Sequence, residues 1–396
     1  MKEVSKLAQS VHASTTMAVD ALAKQMKADG YDVVGFGAGE PDFDTPENIS
    51  QAGINAIKQG KTKYTPAAGI IELRKTIVNQ LKAEWDVDYD YTQVVVASGA
   101  KHCVYIALKV ITNPGDEIII PAPFWVSYYE MVRMTGGTPV IVEAGEDQNF
   151  KITPEQLEAA ITENTKCFML NNPSNPTGMV YTKEELKALT DICVKHDIYI
   201  IADEIYHNLV YNGIEFTSVV SLGEDVKERT LLINGVSKSY AMTGWRIGYC
   251  VANKQISKIM ANYISHSTGA PCTISQIAAI EAISGPKENI EEMRKAFDER
   301  RKHIVERINA IPGVSCLTPD GAFYVMMNIE KLIGKTLGGK LIETDDDFAV
   351  TLLEKALVAV VPCSGFGIKN FVRWSYAVSM ETIDKGMDRL EKFITE

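Results

Sequence analysis

Between about residue 90 and residue 252 the chain alternates short apolar runs with helix-length segments, and few architectures satisfy that alternation. The runs are Val94-Val95-Val96-Ala97, Ile118-Ile119-Ile120, Val140-Ile141-Val142, Phe168-Met169-Leu170, Tyr199-Ile200-Ile201-Ala202, Leu231-Leu232-Ile233 and Gly248-Tyr249-Cys250-Val251. Strand candidates separated by amphipathic segments indicate an α/β fold on a largely parallel sheet. Thr153-Pro154-Glu155 and Thr182-Lys183-Glu184-Glu185 each offer an N-cap threonine and an acidic first turn. Farther on, Ile290, Met293, Phe297, Ile304 and Ile308 recur near helical spacing and predict a long amphipathic helix over 288–308. Segments 321–327 and 358–362 read as strands of a smaller C-terminal unit. A length of 396 residues suits two domains of ordinary size.

Charge and cysteine usage narrow the function classes. Against 40 Lys and Arg stand 51 Asp and Glu, for a net charge of −11, and no basic stretch offers a nucleic-acid footprint. Seven scattered cysteines, odd in number and without Cys-x-x-Cys, suit reduced thiols. The start Met1-Lys2-Glu3-Val4-Ser5-Lys6-Leu7 has no apolar signal core, and no apolar stretch reaches membrane-spanning length. The expectation is a cytoplasmic protein that engages neither membrane nor nucleic acid.

Chemistry concentrates at the ends of the apolar runs. Just after Leu231-Leu232-Ile233 comes Ser237-Lys238-Ser239-Tyr240-Ala241-Met242-Thr243-Gly244-Trp245-Arg246. Its lysine amine can form a Schiff base with an aldehyde, and its arginine can grip a phosphate through a planar fork of donors. Those are the local needs of pyridoxal 5′-phosphate, although Lys238 taken alone reads better as a surface lysine near a structural arginine, and only the motifs around it overturn that. Asp203 ends the run Ile200-Ile201-Ala202, where a carboxylate can keep a pyridine nitrogen protonated, and Tyr206 can donate to the ring's 3′-oxygen. In Asn172-Pro173-Ser174-Asn175-Pro176-Thr177-Gly178 the Asn-Pro steps impose a non-helical path, leaving Asn175 for the 3′-oxygen and a substrate carboxylate. Ser98-Gly99-Ala100-Lys101 opens a helix after a strand, a place for a phosphate. Trp125 suits either ring stacking or the core, and Arg373, inside a β-like run, suits either a carboxylate clamp or a structural ion pair.

Two tempting readings fail. Gly35-Phe36-Gly37-Ala38-Gly39 has Glu40 where a dinucleotide loop needs its third glycine, and Pro41 follows, so the segment reads as an ordered loop in which Gly39 approaches a ligand. The acidic run Glu343-Thr344-Asp345-Asp346-Asp347 precedes Phe348-Ala349-Val350 and reads as a helix N-terminus, so no metal site is expected.

Taken in order, Ser14-x-Thr16, Gly39-Glu40-Pro41-Asp42-Phe43, Lys61-Thr62-Lys63-Tyr64, Asn175-Pro176-Thr177-Gly178, Asp203-Glu204-Ile205-Tyr206, the Lys238 run and Arg373-Trp374-Ser375-Tyr376-Ala377 are similar to motifs of the class I, fold type I pyridoxal-phosphate aminotransferases. The nearest likeness is to bacterial aspartate aminotransferases of subgroup I-gamma. The resemblance implies a large domain, 46–288, with a mostly parallel seven-stranded sheet, and a smaller α+β domain from 1–45 with 289–396. It implies that Lys238 carries the cofactor, Asp203 pairs its ring nitrogen, Tyr206 and Asn175 hold its 3′-oxygen, and Trp125 stacks on it. Ser237, Arg246 and the Gly99-Ala100-Lys101 backbone would surround the phosphate, with Tyr64 supplied by the second subunit of a homodimer. Arg373, Asn175 and Gly39 would bind the α-carboxylate, while Lys101 and Thr16 would favour aspartate and glutamate side chains. Departures from the family pattern are His102, Cys363 and Trp374. Ping-pong transfer from L-aspartate to 2-oxoglutarate is the expected activity. Prephenate, aromatic or alanine transamination, or a carbon–sulfur lyase, are the alternatives.

Overall fold

The computed structural model describes residues 2–11 and 15–396, apart from the side chains at 15–18 and 20. Each apolar run of the middle region is a strand: β1 (Val94–Ala97), β2 (Glu117–Ala122), β3 (Thr138–Glu143), β4 (Thr165–Asn171), β5 (Tyr199–Asp203), β6 (Thr230–Gly235) and β7 (Gly248–Val251). They form one seven-stranded sheet in the order β1-β7-β6-β5-β4-β2-β3. Only β7 runs against its neighbours, pairing antiparallel with β1 and β6. Strands β1, β5, β6 and β7 are buried almost throughout, as a sheet covered on both faces requires. Thr153 and Thr182 each close a capping box, with Gln156 and Glu185, so those helix starts lie where the sequence puts them.

Helix α1 (Thr15–Ala28) precedes the sheet, and α2 (Ala100–Ile111) leaves β1 through Gly99. Beyond the sheet, α3 (Glu288–Ala310) fulfils the long-helix expectation and buries Met293, Phe297, Ile304 and Ile308. A second sheet collects β8 (Ser315–Cys316), β9 (Tyr324–Asn328), β10 (Val361–Pro362) and β11 (Phe371–Ser375) in the order β10-β11-β9-β8.

Two strand expectations need correction. Residues 321–323 are not strand: Gly321 makes an isolated bridge to Val210, and Ala322 turns through the left-handed region at φ 56°. Segment 358–362 is two strands rather than one. Val358–Ala359 pairs in parallel with Val34–Gly35, whereas β10 pairs with β11, so Val360 marks a change of partner. The pairing also ties the N-terminal segment to the C-terminal one, reinforced by Asp32 with Lys385 and Arg389 at 2.7 Å each. The acidic run begins helix α4 (Asp345–Ala356), with Thr344 as N-cap. Asp345 does more than complement the dipole: it is buried and accepts the Ser364 N–H at 2.6 Å. Among the described residues no acidic, His or Cys cluster is arranged to hold a metal.

Candidate active site

Parallel strands present their C-terminal ends at one edge of a sheet, and here β4, β5 and β6 deliver Asn171, Asp203 and Gly235 there. A cavity of about 490 Å³ opens above them, with Asp203, Lys238, Tyr206 and Asn175 in its wall. Asp203, only 4% exposed, accepts the Tyr128 hydroxyl at 2.7 Å and the Ile205 N–H at 3.3 Å. Burial raises its pKa to about 6, opposed by those hydrogen bonds and by the charge of Lys238. Its neighbour Glu204 takes the Ser218 hydroxyl at 2.7 Å and the Val219 N–H at 2.8 Å, and burial raises its pKa to about 8. Two adjacent carboxylates thus have different tasks: Asp203 lines the cavity, and Glu204 anchors the chain at Ser218.

Lys238 emerges just past β6, half-buried, with its Nζ donating to the Gly39 carbonyl. Burial lowers its pKa to about 8, with Glu40 opposing and Arg246 and Arg373 adding to the shift. An amine so placed is partly unprotonated near neutral pH, which a nucleophile or proton carrier requires. Ser237 lines the same cavity.

The start of α2 forms a recess for an anion. Gly99, at φ 88°, occupies the N-cap with no side-chain cap, and a Cβ there would lie 2.6 Å from Arg246 Nη2. Glycine is favoured here by its backbone angle, and any side chain would push the Arg246 guanidinium out of its place. Arg246 itself adopts φ 57° and donates to the Thr243 carbonyl at 2.8 Å. Ala100 and Lys101 continue the wall, and Lys101 Nζ sits 4.7 Å from the centre of the Trp125 ring. Burial lowers the Lys101 pKa, with the charge of Arg246 adding.

Across the cavity, Arg373 on β11 donates to Asn175 Oδ1 at 3.0 Å and to the Gly37 carbonyl at 2.7 Å, neither of them a carboxylate. Its Nε is buried without a hydrogen-bond partner. Asn175 is held in turn by Asn171, whose Oδ1 accepts the Asn175 N–H at 2.8 Å. Gly39 and Trp125 line the cavity as expected. Tyr64 does not join it: it stands 105% exposed. Thr16 lies on α1, but its side chain is outside the described residues, as is Ser14 altogether.

Sequence reasoning missed Tyr128, Tyr324, Glu40 and Lys24, all near or in this wall. Tyr128 stands on the helix after Trp125, and nothing in its own residue type announces Asp203 as its partner. Glu40 accepts the Thr243 hydroxyl at 2.9 Å, joining the Gly39 loop to the segment after Lys238. The donor set fits pyridoxal 5′-phosphate: an amine for its aldehyde, a dry carboxylate for its ring nitrogen, and an uncapped helix start beside a guanidinium for its phosphate.

Comparison with known proteins finds likenesses over nearly the whole chain. Residues 31–390 match the family described as aminotransferase class I and II. An aspartate aminotransferase from Bacillus sp. strain YM-2 is 49% identical over 96% of each chain. A probable aspartate/prephenate aminotransferase from Rhizobium leguminosarum bv. phaseoli is 47% identical over 97% of this chain and 96% of its own. The crystal structure of an aspartate aminotransferase from Rhizobium meliloti superposes with a TM-score of 0.96 at 40% identity, covering 99% of each chain.

Proposed function

Because the chain belongs to the class I and II aminotransferases and is a transaminase dependent on pyridoxal 5′-phosphate, we propose that it carries the amino group of L-aspartate to 2-oxoglutarate, giving oxaloacetate and L-glutamate. One observation carries the substrate choice: a single cavity has Arg373 on β11 and Lys101 on α2 in its wall. A substrate with two carboxylates satisfies both cations, whereas alanine would leave Lys101 without a ligand charge.

In this reading Lys238 links to the cofactor aldehyde, and Asp203 faces the ring nitrogen. Tyr206 and Asn175 serve the 3′-oxygen, and Trp125 covers the ring. Ser237, Arg246 and the backbone of Gly99, Ala100 and Lys101 hold the phosphate. When bound, the cofactor supplies a carbonyl for the amino acid nitrogen and a ring that withdraws electrons from Cα. Arg373, with Asn175 and Gly39, fixes the α-carboxylate and so orients the Cα–H bond. Lys238, with a pKa of about 8, removes and returns the proton at Cα. Asp203, kept dry, holds negative charge against a protonated nitrogen, where the pairing is strongest. Lys101, aided by Thr16, receives the side-chain carboxylate.

A homodimer completes the site in this reading, with Tyr64 reaching the phosphate of the second copy; its full exposure in one chain supports that assignment. In the same reading 46–288 is one domain and 1–45 with 289–396 the other, so the Gly39 loop and β11 both belong to the smaller one. The reading places the enzyme in the cytoplasm, in keeping with free cysteines throughout and, among the described residues, no helix long and apolar enough to cross a membrane.

Prephenate is the second reading, since it is also a dicarboxylate and the Rhizobium leguminosarum relative's name includes it. The test is the rate of L-glutamate formation from 2-oxoglutarate with L-aspartate, L-alanine and L-phenylalanine as donors, and of L-glutamate consumption with prephenate. L-Aspartate should lead the donors. Equal rates with L-alanine would remove the two-cation argument, and release of ammonia and pyruvate from a cysteine conjugate would indicate a lyase.

A further inference from the structure

Tyr324 opens β9 at a place where three parts of the cavity meet. In the antiparallel pairing of β9 with β11, Tyr324 lies opposite Ser375 and Met326 opposite Arg373. Tyr324 and Arg373 are therefore diagonal neighbours on one face, within reach of long side chains. The guanidinium accordingly sits 4.5 Å from the centre of the Tyr324 ring. The Tyr324 hydroxyl lies 2.9 Å from that of Tyr206. Gly39 crowds it from another side, since a Cβ there would come within 3.0 Å. Tyr324 is 1% exposed, yet it lines the cavity with Tyr206.

Each phenol has one proton to give, so of two hydroxyls at this distance one donates and the other accepts. Burial raises both pKa values above the ordinary tyrosine range, so both protons are present under working conditions. The single Tyr206 proton can go to the cofactor 3′-oxygen only if Tyr206 accepts from its neighbour, and in that arrangement Tyr324 is the donor. We propose that Tyr324 is a positioning residue: its hydroxyl donates to Tyr206, which turns the single proton of Tyr206 toward the cofactor 3′-oxygen, while its ring braces Arg373. The inference rests on the reading above in which Tyr206 faces that oxygen. It makes one side chain the link between the cofactor-binding and carboxylate-binding sides of the cavity.

The test is a pH titration of the absorbance of the substrate-free holoenzyme, together with KM for L-aspartate. A donor to the 3′-oxygen stabilises its anionic form, so weakening that donor moves the protonation midpoint up. Tyr206→Phe should raise the midpoint, Tyr324→Phe should raise it by roughly half a pH unit, and the double variant should match Tyr206→Phe alone. Tyr324→Phe keeps the ring against Arg373, so Tyr324→Leu should raise KM by roughly threefold or more above the value for Tyr324→Phe, as expected for a lost cation–ring contact. A midpoint that Tyr206→Phe moves and Tyr324→Phe does not would overturn the inference, as would additive shifts in the double variant. If Tyr206→Phe itself leaves the midpoint in place, the assignment of Tyr206 to that oxygen fails and takes the inference with it.

Discussion

The strand-end wall and the outer rim of the cavity are built by opposite rules. At the wall, Asp203, Tyr206, Asn175 and Arg373 are buried and joined to neighbouring protein groups at 2.7–3.3 Å. At the rim, Lys101, Arg246 and Glu40 are exposed, and although Arg246 and Glu40 keep short bonds to Thr243 at 2.8 and 2.9 Å, their charges face water. A dry, bonded wall fixes charge where electrons must move, and it gains its strength from the low dielectric around it. A wet rim gains little from any one charge, so it selects ligands by small increments.

The largest effect should come from the lysine between these regions. Lys238→Ala should lower kcat for L-aspartate by on the order of 10⁴-fold, measured by glutamate formation. Asp203→Ala, which breaks the wall's charge, should lower kcat by roughly 10²–10³-fold with KM little changed. Arg373→Lys, losing the planar fork, should raise KM for L-aspartate by roughly 10–100-fold. At the rim, Lys101→Gln should raise KM for L-aspartate by only about 2–5-fold and leave L-alanine unaffected. A rim effect as large as a wall effect would break the comparison.

Stability sharpens it further. The pKa of Asp203 is raised from 3.8 to about 6, so the contribution of its protonated form is fully present below the unfolded value and is lost as pH rises through about 6. The cofactor-free chain should therefore gain up to about 3 kcal/mol at pH 8 from Asp203→Asn, and nothing near pH 3, as read by urea unfolding. A gain independent of pH would mean that the carboxylate is not desolvated.

The same contrast explains what the sequence made legible. The large sheet was readable because its fully buried strands, such as β1 and β6, are contiguous apolar runs whose burial needs no distant partner to explain it. Asp203 and Lys238 were readable because they stand at the ends of those runs. The smaller sheet was not readable at its boundaries: Val358–Ala359 and β10 are two residues each, and their partners lie far along the chain. Tyr128 and Tyr324 escaped for the same reason, since their partners Asp203 and Tyr206 are 75 and 118 residues away and tyrosine carries no local mark of either bond.

The most direct test of the central claim is an absorbance spectrum of the purified holoenzyme with L-aspartate alone, then with 2-oxoglutarate, and with Lys238→Ala alongside. The expected result is that L-aspartate replaces the wild-type visible band, 2-oxoglutarate restores it, and the variant does neither. A holoenzyme whose spectrum is unmoved by L-aspartate but moved by L-alanine or L-phenylalanine would contradict the claim that Arg373 and Lys101 together select a dicarboxylate.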